Sequence, residues 1–183
     1  MVTTRIERDA YYSPTKLIDL FLENHIPEFI KPSCTVLEPC AGEGAIVNSL
    51  EAHNFRVHQS DIVQGSQFDA TRIDYWLHKS PEWTFTNPPF NAAIPIIEHA
   101  LNHSKSAVTM LLRASFLEPC KNRRHLLDNR ITHICYVNPR PRFRSDSSGS
   151  DSATVAFITW STDRFRIGSQ KISYLVDWQL PNS

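Results

Sequence analysis

The run Ala107-Val108-Thr109-Met110-Leu111-Leu112 carries no charge and shows no alternation of polar with apolar residues. A strand of that kind is buried on both faces, and a sheet covered on both faces is built mainly from parallel strands with helices returning above and below it. The rest of the chain follows this rule. Short β-branched or aromatic runs at 35–38, 55–58, 83–86, 131–137 and 153–160 alternate with helical stretches near Thr15, after Gly44, over 94–101 and over 121–129. Ser13 or Thr15 is expected to cap the first helix, whose apolar side is Leu17, Ile18, Leu20, Phe21 and Leu22. The strands at 131–137 and 153–160 are separated by "SDSSGSDS" and no helix, so they are expected to pair antiparallel at the sheet edge. The tail from Phe165 reads as one or two short strands. The expected fold is α/β in three layers, a mostly parallel seven-stranded sheet with an antiparallel edge hairpin.

The 183 residues suit one domain, 1–183, with no room for a separate target-recognition domain. Lys and Arg total 19 against 19 Asp and Glu, which excludes a uniformly basic coat but not a local basic patch. The N-terminal stretch MVTTRIERDAYYSP lacks the apolar core of a signal peptide, and no run approaches the roughly 18 apolar residues of a membrane span. A soluble, cytoplasmic protein with no membrane partner is expected. Cys34, Cys40, Cys120 and Cys135 show no C-x-x-C pairing, so reduced thiols packed as small hydrophobes are expected rather than disulfides or a metal knot.

The first strand runs directly into "LEPCAGEGAI". In an open parallel sheet this turn lies at the carboxyl ends of the strands, where ligands bind. Gly42 and Gly44 allow close approach to the backbone and leave N–H groups available at the helix start. Glu38 ends the first strand, and Asp61 follows the second. An acid at the end of a buried strand is costly unless it binds something, and a carboxylate at the position of Asp61 is placed to accept two ribose hydroxyls. The pair points to an adenosine-containing cofactor. Val47 stands where a dinucleotide fingerprint needs its third glycine, and Gly-Lys-Ser/Thr is absent, so phosphate binding is disfavoured.

The strand at 83–86 is followed by Asn87-Pro88-Pro89-Phe90. Two prolines fix the backbone and hold what precedes them extended. An exocyclic amine conjugated to a ring is a poor nucleophile. Acceptors at its two N–H groups, the Asn87 side-chain oxygen and the Pro88 carbonyl, would favour pyramidalisation and stabilise positive charge developing on its nitrogen. Phe90 supplies a flat face on which an extruded base can stack.

With these residues the chain resembles Rossmann-like, class I S-adenosylmethionine-dependent amino-methyltransferases, among them the DNA adenine-N6 methyltransferases. "YYSPTKL" stands before the first strand, "LEPCAGEGA" after it and "TNPPF" after the fourth, over about residues 11 to 160. The resemblance implies S-adenosyl-L-methionine as cofactor. Tyr12, Ser13, Pro14 and Thr15 would line its methionine end, with Glu38, Cys40, Ala41 and Gly42 cradling the amino acid part and Gly44 completing that turn. Asp61 and Ile62 would hold ribose and adenine, Asp69 would stand near the adenine N6, and Asn87 would adjoin the methyl group. The implied reaction is methylation of adenine N6 in DNA by in-line displacement after base flipping, with Asn87, Pro88, Pro89 and Phe90 as catalytic residues.

Arg140, Arg142, Phe143 and Arg144, in "NPRPRFR", suit phosphate contacts with an aromatic available to stack or wedge. Nucleic acid is therefore the expected partner, DNA ahead of RNA, with specificity supplied by loops, a partner subunit or a second copy. RNA methylation stays open, as does N5 methylation of a protein glutamine, although glutamine-modifying chains carry a helical domain before the glycine turn that has no counterpart here. A non-catalytic cofactor-binding subunit is a further reading, opposed by the complete "TNPPF". His99 and His103 share a helix face, but no third ligand accompanies them and no metal is expected.

Overall fold

The computed structural model describes residues 13–127, 131–139, 141, 154–163 and 170–179. The strands are β1 (Thr35–Glu38), β2 (Arg56–Gln59), β3 (Trp83–Thr86), β4 (Ala107–Arg113), β5 (Ile131–Asn138), β6 (Val155–Ser161) and β7 (Lys171–Val176). They form one sheet in the order β2-β1-β3-β4-β6-β5-β7. β6 runs antiparallel to both β4 and β5, and every other neighbouring pair is parallel. The antiparallel β5–β6 pair lies toward one end of the sheet, with β7 added beyond it.

The helices are α1 (Thr15–Asn24), α2 (Ala45–Ala52), α3 (Ile73–Trp76), α4 (Ala93–His103) and α5 (Arg124–Leu127). Residues of α1 and α2, including Leu17, Phe21, Ile46 and Leu50, share one core with Val36, Phe85, Leu111 and Phe157. Residues of α3, α4 and α5, including Trp76, Ile97 and Leu126, share a second with Leu37, Val108, Met110 and Trp160. β4 therefore sends Leu111 to one face and Val108, Met110 and Leu112 to the other, the double burial its sequence requires. The single polar residue in its apolar run is also satisfied. The Thr109 hydroxyl accepts from the Trp83 indole N–H at 3.0 Å and pairs with the Thr159 hydroxyl at 2.9 Å, joining β3, β4 and β6.

At the entry to the sheet, a Glu82 carboxylate oxygen accepts from the Thr35 N–H at 2.7 Å, and the Thr35 hydroxyl accepts from the Glu82 N–H at 3.2 Å. This reciprocal pair holds β1 and β3 in register. β3 is third in chain order, so Asn87 follows the third strand of this sheet and not the fourth.

Neither Ser13 nor Thr15 caps α1: the N-cap is Pro14, which makes no side-chain cap bond. Of the helix expected over 121–129, α5 occupies 124–127, with 128–130 outside the described residues. β2 begins at Arg56, one residue later than its pattern suggests: the Phe55 N–H bonds back to the Leu50 carbonyl of α2 at 3.0 Å, and its ring packs in the core against Trp83. Among the described residues the tail forms one strand, β7. No described helix is long and apolar enough to cross a membrane. The four cysteines are free thiols, with Cys34 and Cys135 buried, Cys40 half-buried and Cys120 exposed.

Candidate active site

The chain leaves β1 toward β2 on one side and reaches β3 on the other, and all three strands end on the same side of the sheet. Such a reversal of strand order opens a crevice at the carboxyl ends. A cavity of about 670 Å³ lies there, a size suited to a small organic ligand. Four segments wall it: the entry to α1, the turn after β1, the loops that follow β2, and the loop after β3.

The turn after β1 takes its shape from two glycines in the left-handed region, Gly42 at φ 52° and Gly44 at φ 85°. A Cβ added to Gly42 would meet nothing within 4 Å, so the backbone angle, not crowding, calls for glycine there. Gly42, Ala41 and Cys40 line the cavity; Gly44 does not, and instead begins α2 as its N-cap. Glu38 also stands back from the cavity. It is fully buried under the turn, where Oε1 accepts from the Cys40 N–H at 2.9 Å and from the Thr86 hydroxyl, while Oε2 has no hydrogen-bond partner among the described residues. Burial pushes its carboxyl up to about 8 against two hydrogen bonds that lower it, so the group is largely protonated at neutral pH. Its direct contact is with the loop that carries Asn87, through Thr86, rather than with the space above the turn.

Asp61 joins the two ligand loops. Oδ2 accepts from the Gly42 N–H at 2.9 Å and Oδ1 from the Val63 N–H at 3.0 Å, and each oxygen retains a second acceptor direction. Beside it Ile62 and Val63 are exposed apolar residues on the cavity wall, facing a site that Phe68, Ala92 and Ile96 also line. Asp69 is held by its own turn, with Oδ1 accepting from the Thr71 N–H at 3.0 Å and the Thr71 hydroxyl at 2.6 Å. The Thr71 carbonyl is in turn 3.2 Å from His99 Nε2, which satisfies it as an N–H donor. His103 Nδ1 bonds the His99 carbonyl at 2.8 Å, and both rings lie close to Trp76. The two histidines thus support the Asp69 loop and α4, and no group of three metal-binding side chains occurs among the described residues.

Asn87 reaches the cavity from the end of β3. Its Nδ2 donates to the Ser13 hydroxyl at 3.0 Å, so the amide turns its oxygen to the side away from Ser13. Pro89 lines the cavity and Pro88 is buried behind it. Phe90 is half-buried beside the cavity wall, and the Arg113 guanidinium lies 4.5 Å from its ring centroid. One face of this ring is therefore already in contact with a cation from the end of β4.

Of the residues picked from the sequence, Ser13, Pro14, Thr15, Cys40, Ala41, Gly42, Asp61, Ile62, Asp69, Asn87 and Pro89 come together on one cavity. Tyr12, Arg140, Arg142, Phe143 and Arg144 lie outside the described residues. Sequence reasoning missed Asn48, Phe68, Thr71 and Ile96, which also line the cavity. Asn48 sits one helical turn after Gly44 and Thr71 follows Asp69 in an Asp-x-Thr turn, both readable signals. Phe68 and Ile96 carry none, since an aromatic or aliphatic residue in such runs reads as core.

No family model matches the sequence, and no curated protein matches it. Solved structures do resemble it. One is a protein from Listeria monocytogenes assigned as a class I S-adenosylmethionine-dependent methyltransferase, 12% identical, with TM-score 0.60 over 92% of this chain and 66% of that one. Another is the methyltransferase subunit of a type I restriction-modification system from Streptococcus thermophilus, 10% identical, with TM-score 0.61 over 93% of this chain and 48% of that one. A third, from Pyrococcus horikoshii and assigned as an RNA methyltransferase, is 15% identical, with TM-score 0.51 over 87% of this chain and 90% of that one. The chain spans less than two thirds of the first and about half of the second. At these identities the likeness is one of fold, the Rossmann-like seven-stranded methyltransferase architecture.

Proposed function

We propose that this chain is an S-adenosylmethionine-dependent N-methyltransferase acting on the exocyclic N6 of adenine in DNA, with the target base turned out of the helix. The observation that carries the reading is that Asn87 and Pro89 share one cavity with the Gly42 turn, Asp61 and Asp69. An acceptor for an amine, on Asn87, and a cradle for an adenosine-containing methyl donor face the same space.

The residues fit that cofactor. Asp61 offers its remaining acceptor directions to ribose hydroxyls, Ile62 and Phe68 offer apolar walls for adenine, and Asp69 offers an acceptor for the adenine amine. The turn at 40–42 and the entry to α1 at 13–15 close the opposite end, where the methionine part would lie. When bound, S-adenosylmethionine supplies a methyl group on a sulfonium, an electrophile for direct in-line displacement.

Asn87 and the Pro88 carbonyl accept from the two N–H groups of the target amine, localising its lone pair as the new N–C bond forms and stabilising the positive charge that grows on nitrogen. An amide cannot take up the proton, so it leaves the methylated nitrogen for water after transfer. Prolines and the Ser13 hydrogen bond hold the acceptors in place beforehand, so little reorganisation is needed in the transition state. Phe90, in contact with Arg113, supplies an aromatic ring on which the extruded base would stack.

The type I modification subunit among the structural neighbours supports DNA as the polymer, and the complex assembly of a type I system supports a partner subunit. The deciding experiment incubates the protein with labelled cofactor and either DNA or RNA, then digests the polymer and identifies the nucleosides by mass spectrometry. N6-methyl-2′-deoxyadenosine is expected. Label found only in ribonucleosides moves the activity to RNA, and in a parallel incubation with protein substrates, label found on glutamine and in neither polymer moves it to protein. Cofactor binding by calorimetry with no transfer to any of these would leave a non-catalytic subunit.

A further inference from the structure

β7 ends the sheet among the described residues and pairs with β5 alone. Its side chains alternate: Leu175 is buried, whereas Ile172, Tyr174 and Val176 are 54%, 64% and 55% exposed on the opposite face. Tyr174 is not loose, since its ring stacks on Tyr136 with centroids 5.9 Å apart. The backbone alternates as well. The Asp177 N–H reaches the Asn138 carbonyl at 2.9 Å, so the odd-numbered residues of the strand direct their N–H and C=O groups at β5. Those of Ile172, Tyr174 and Val176 point away from it. A strand with an apolar face and an outward row of backbone groups is a template for another strand.

We propose that the occupant is a second copy of this chain, with β7 pairing antiparallel to β7 about a two-fold axis at Tyr174. The strand is self-complementary in that register. Ile172 falls opposite the partner's Val176 and Val176 opposite the partner's Ile172, while exposed Lys171 at the start of one strand comes near exposed Asp177, which directly follows the end of the other, so unlike charges adjoin at both ends. The outward backbone of Tyr174 makes the central pair a hydrogen-bonded one, with the Ile172 and Val176 pairs repeating it on either side. A register centred on Ser173 would set Lys171 against buried Leu175, and one centred on Leu175 would lose an outer pair. This interface is independent of the transfer chemistry proposed above.

Sedimentation velocity should give a species of twice the 21.0 kDa chain mass, and Tyr174→Lys, which sets two ammonium groups face to face on the axis, should return it to one chain with an unchanged circular dichroism spectrum. Register is tested by cross-linking in a Cys120→Ser background, which removes the exposed native thiol. Tyr174→Cys should form a disulfide with its own copy under mild oxidation, because paired Cα atoms about 5.5 Å apart lie within disulfide reach. Ile172→Cys, four residues out of register with its copy, should not. Lys171→Asp should weaken the dimer, and adding Asp177→Lys should restore it. A chain that stays monomeric at high concentration, or Ile172→Cys linking as readily as Tyr174→Cys, overturns the proposal.

Discussion

At the scale of single residues, the contact between Asn87 and Ser13 gives the candidate site its direction, because it decides which side of the amide carries the acceptor. Asn87→Ala should lower transfer by on the order of 10²–10³-fold while cofactor affinity by calorimetry stays within a few fold. A large loss of cofactor binding would contradict the role assigned to it. Ser13→Ala frees the amide to turn and should reduce kcat about tenfold, by the loss of one hydrogen bond of about 1.4 kcal/mol, with a smaller effect on KM. Ser13→Thr keeps the hydroxyl and should recover most of the rate; equal damage by both would point to packing instead. Glu38 gives a prediction on stability. Its carboxyl is raised from 4.5 to about 8, so the folded chain keeps a proton that the unfolded chain releases. The stabilisation is complete below pH 4.5 and is lost as pH rises toward 8, by several kcal/mol. Glu38→Gln should flatten the decline seen by urea unfolding across that range.

At the scale of elements, β7 is docked through a polar cluster inside the sheet. The Ser173 hydroxyl lies 2.7 Å from His133 Nε2 on β5 and 3.2 Å from His25 Nδ1 at the end of α1. Burial, then Lys171 and His25, push His133 down from 6.5 to about 4, and burial and Lys171 lower His25 as well. Here the unfolded chain binds the extra protons. Stability from this cluster is complete above pH 6.5 and is lost as pH falls toward 4. Thermal unfolding at stepped pH should show the loss, and His133→Gln should remove much of it. The slopes from Glu38 and His133 oppose one another between pH 4.5 and 6.5. The elements themselves were largely readable in the sequence: β1 and β3 carry the expected limits, and α2 starts directly after Gly44. Capping was not, because Pro14 at the N-cap offers no side-chain acceptor and Ser13 is committed to Asn87.

At the scale of the whole molecule, the parallel half of the sheet sets the cavity at one end, and the arginine-rich segment after β5 belongs to the connection between β5 and β6. If Arg140, Arg142 and Arg144 contact phosphates, replacing all three with Ala should weaken polynucleotide binding and lower the slope of log affinity against log salt by up to about 3. An unchanged slope in fluorescence anisotropy titrations would take that segment out of the interface. The sequence by itself determined the alternation of strands and helices, the glycine turn and the rigid Asn-Pro-Pro-Phe loop, because periodicity and backbone restriction act between near neighbours. Only the tertiary structure decided that Glu38 is sealed under the turn, that Asp61 bonds Gly42, that Ser13 orients an amide 74 residues away, and that β7, last in the sheet among the described residues, leaves Tyr174 exposed. Those outcomes depend on which side chains lose water and which backbone groups find partners when distant segments pack, and no local pattern records them.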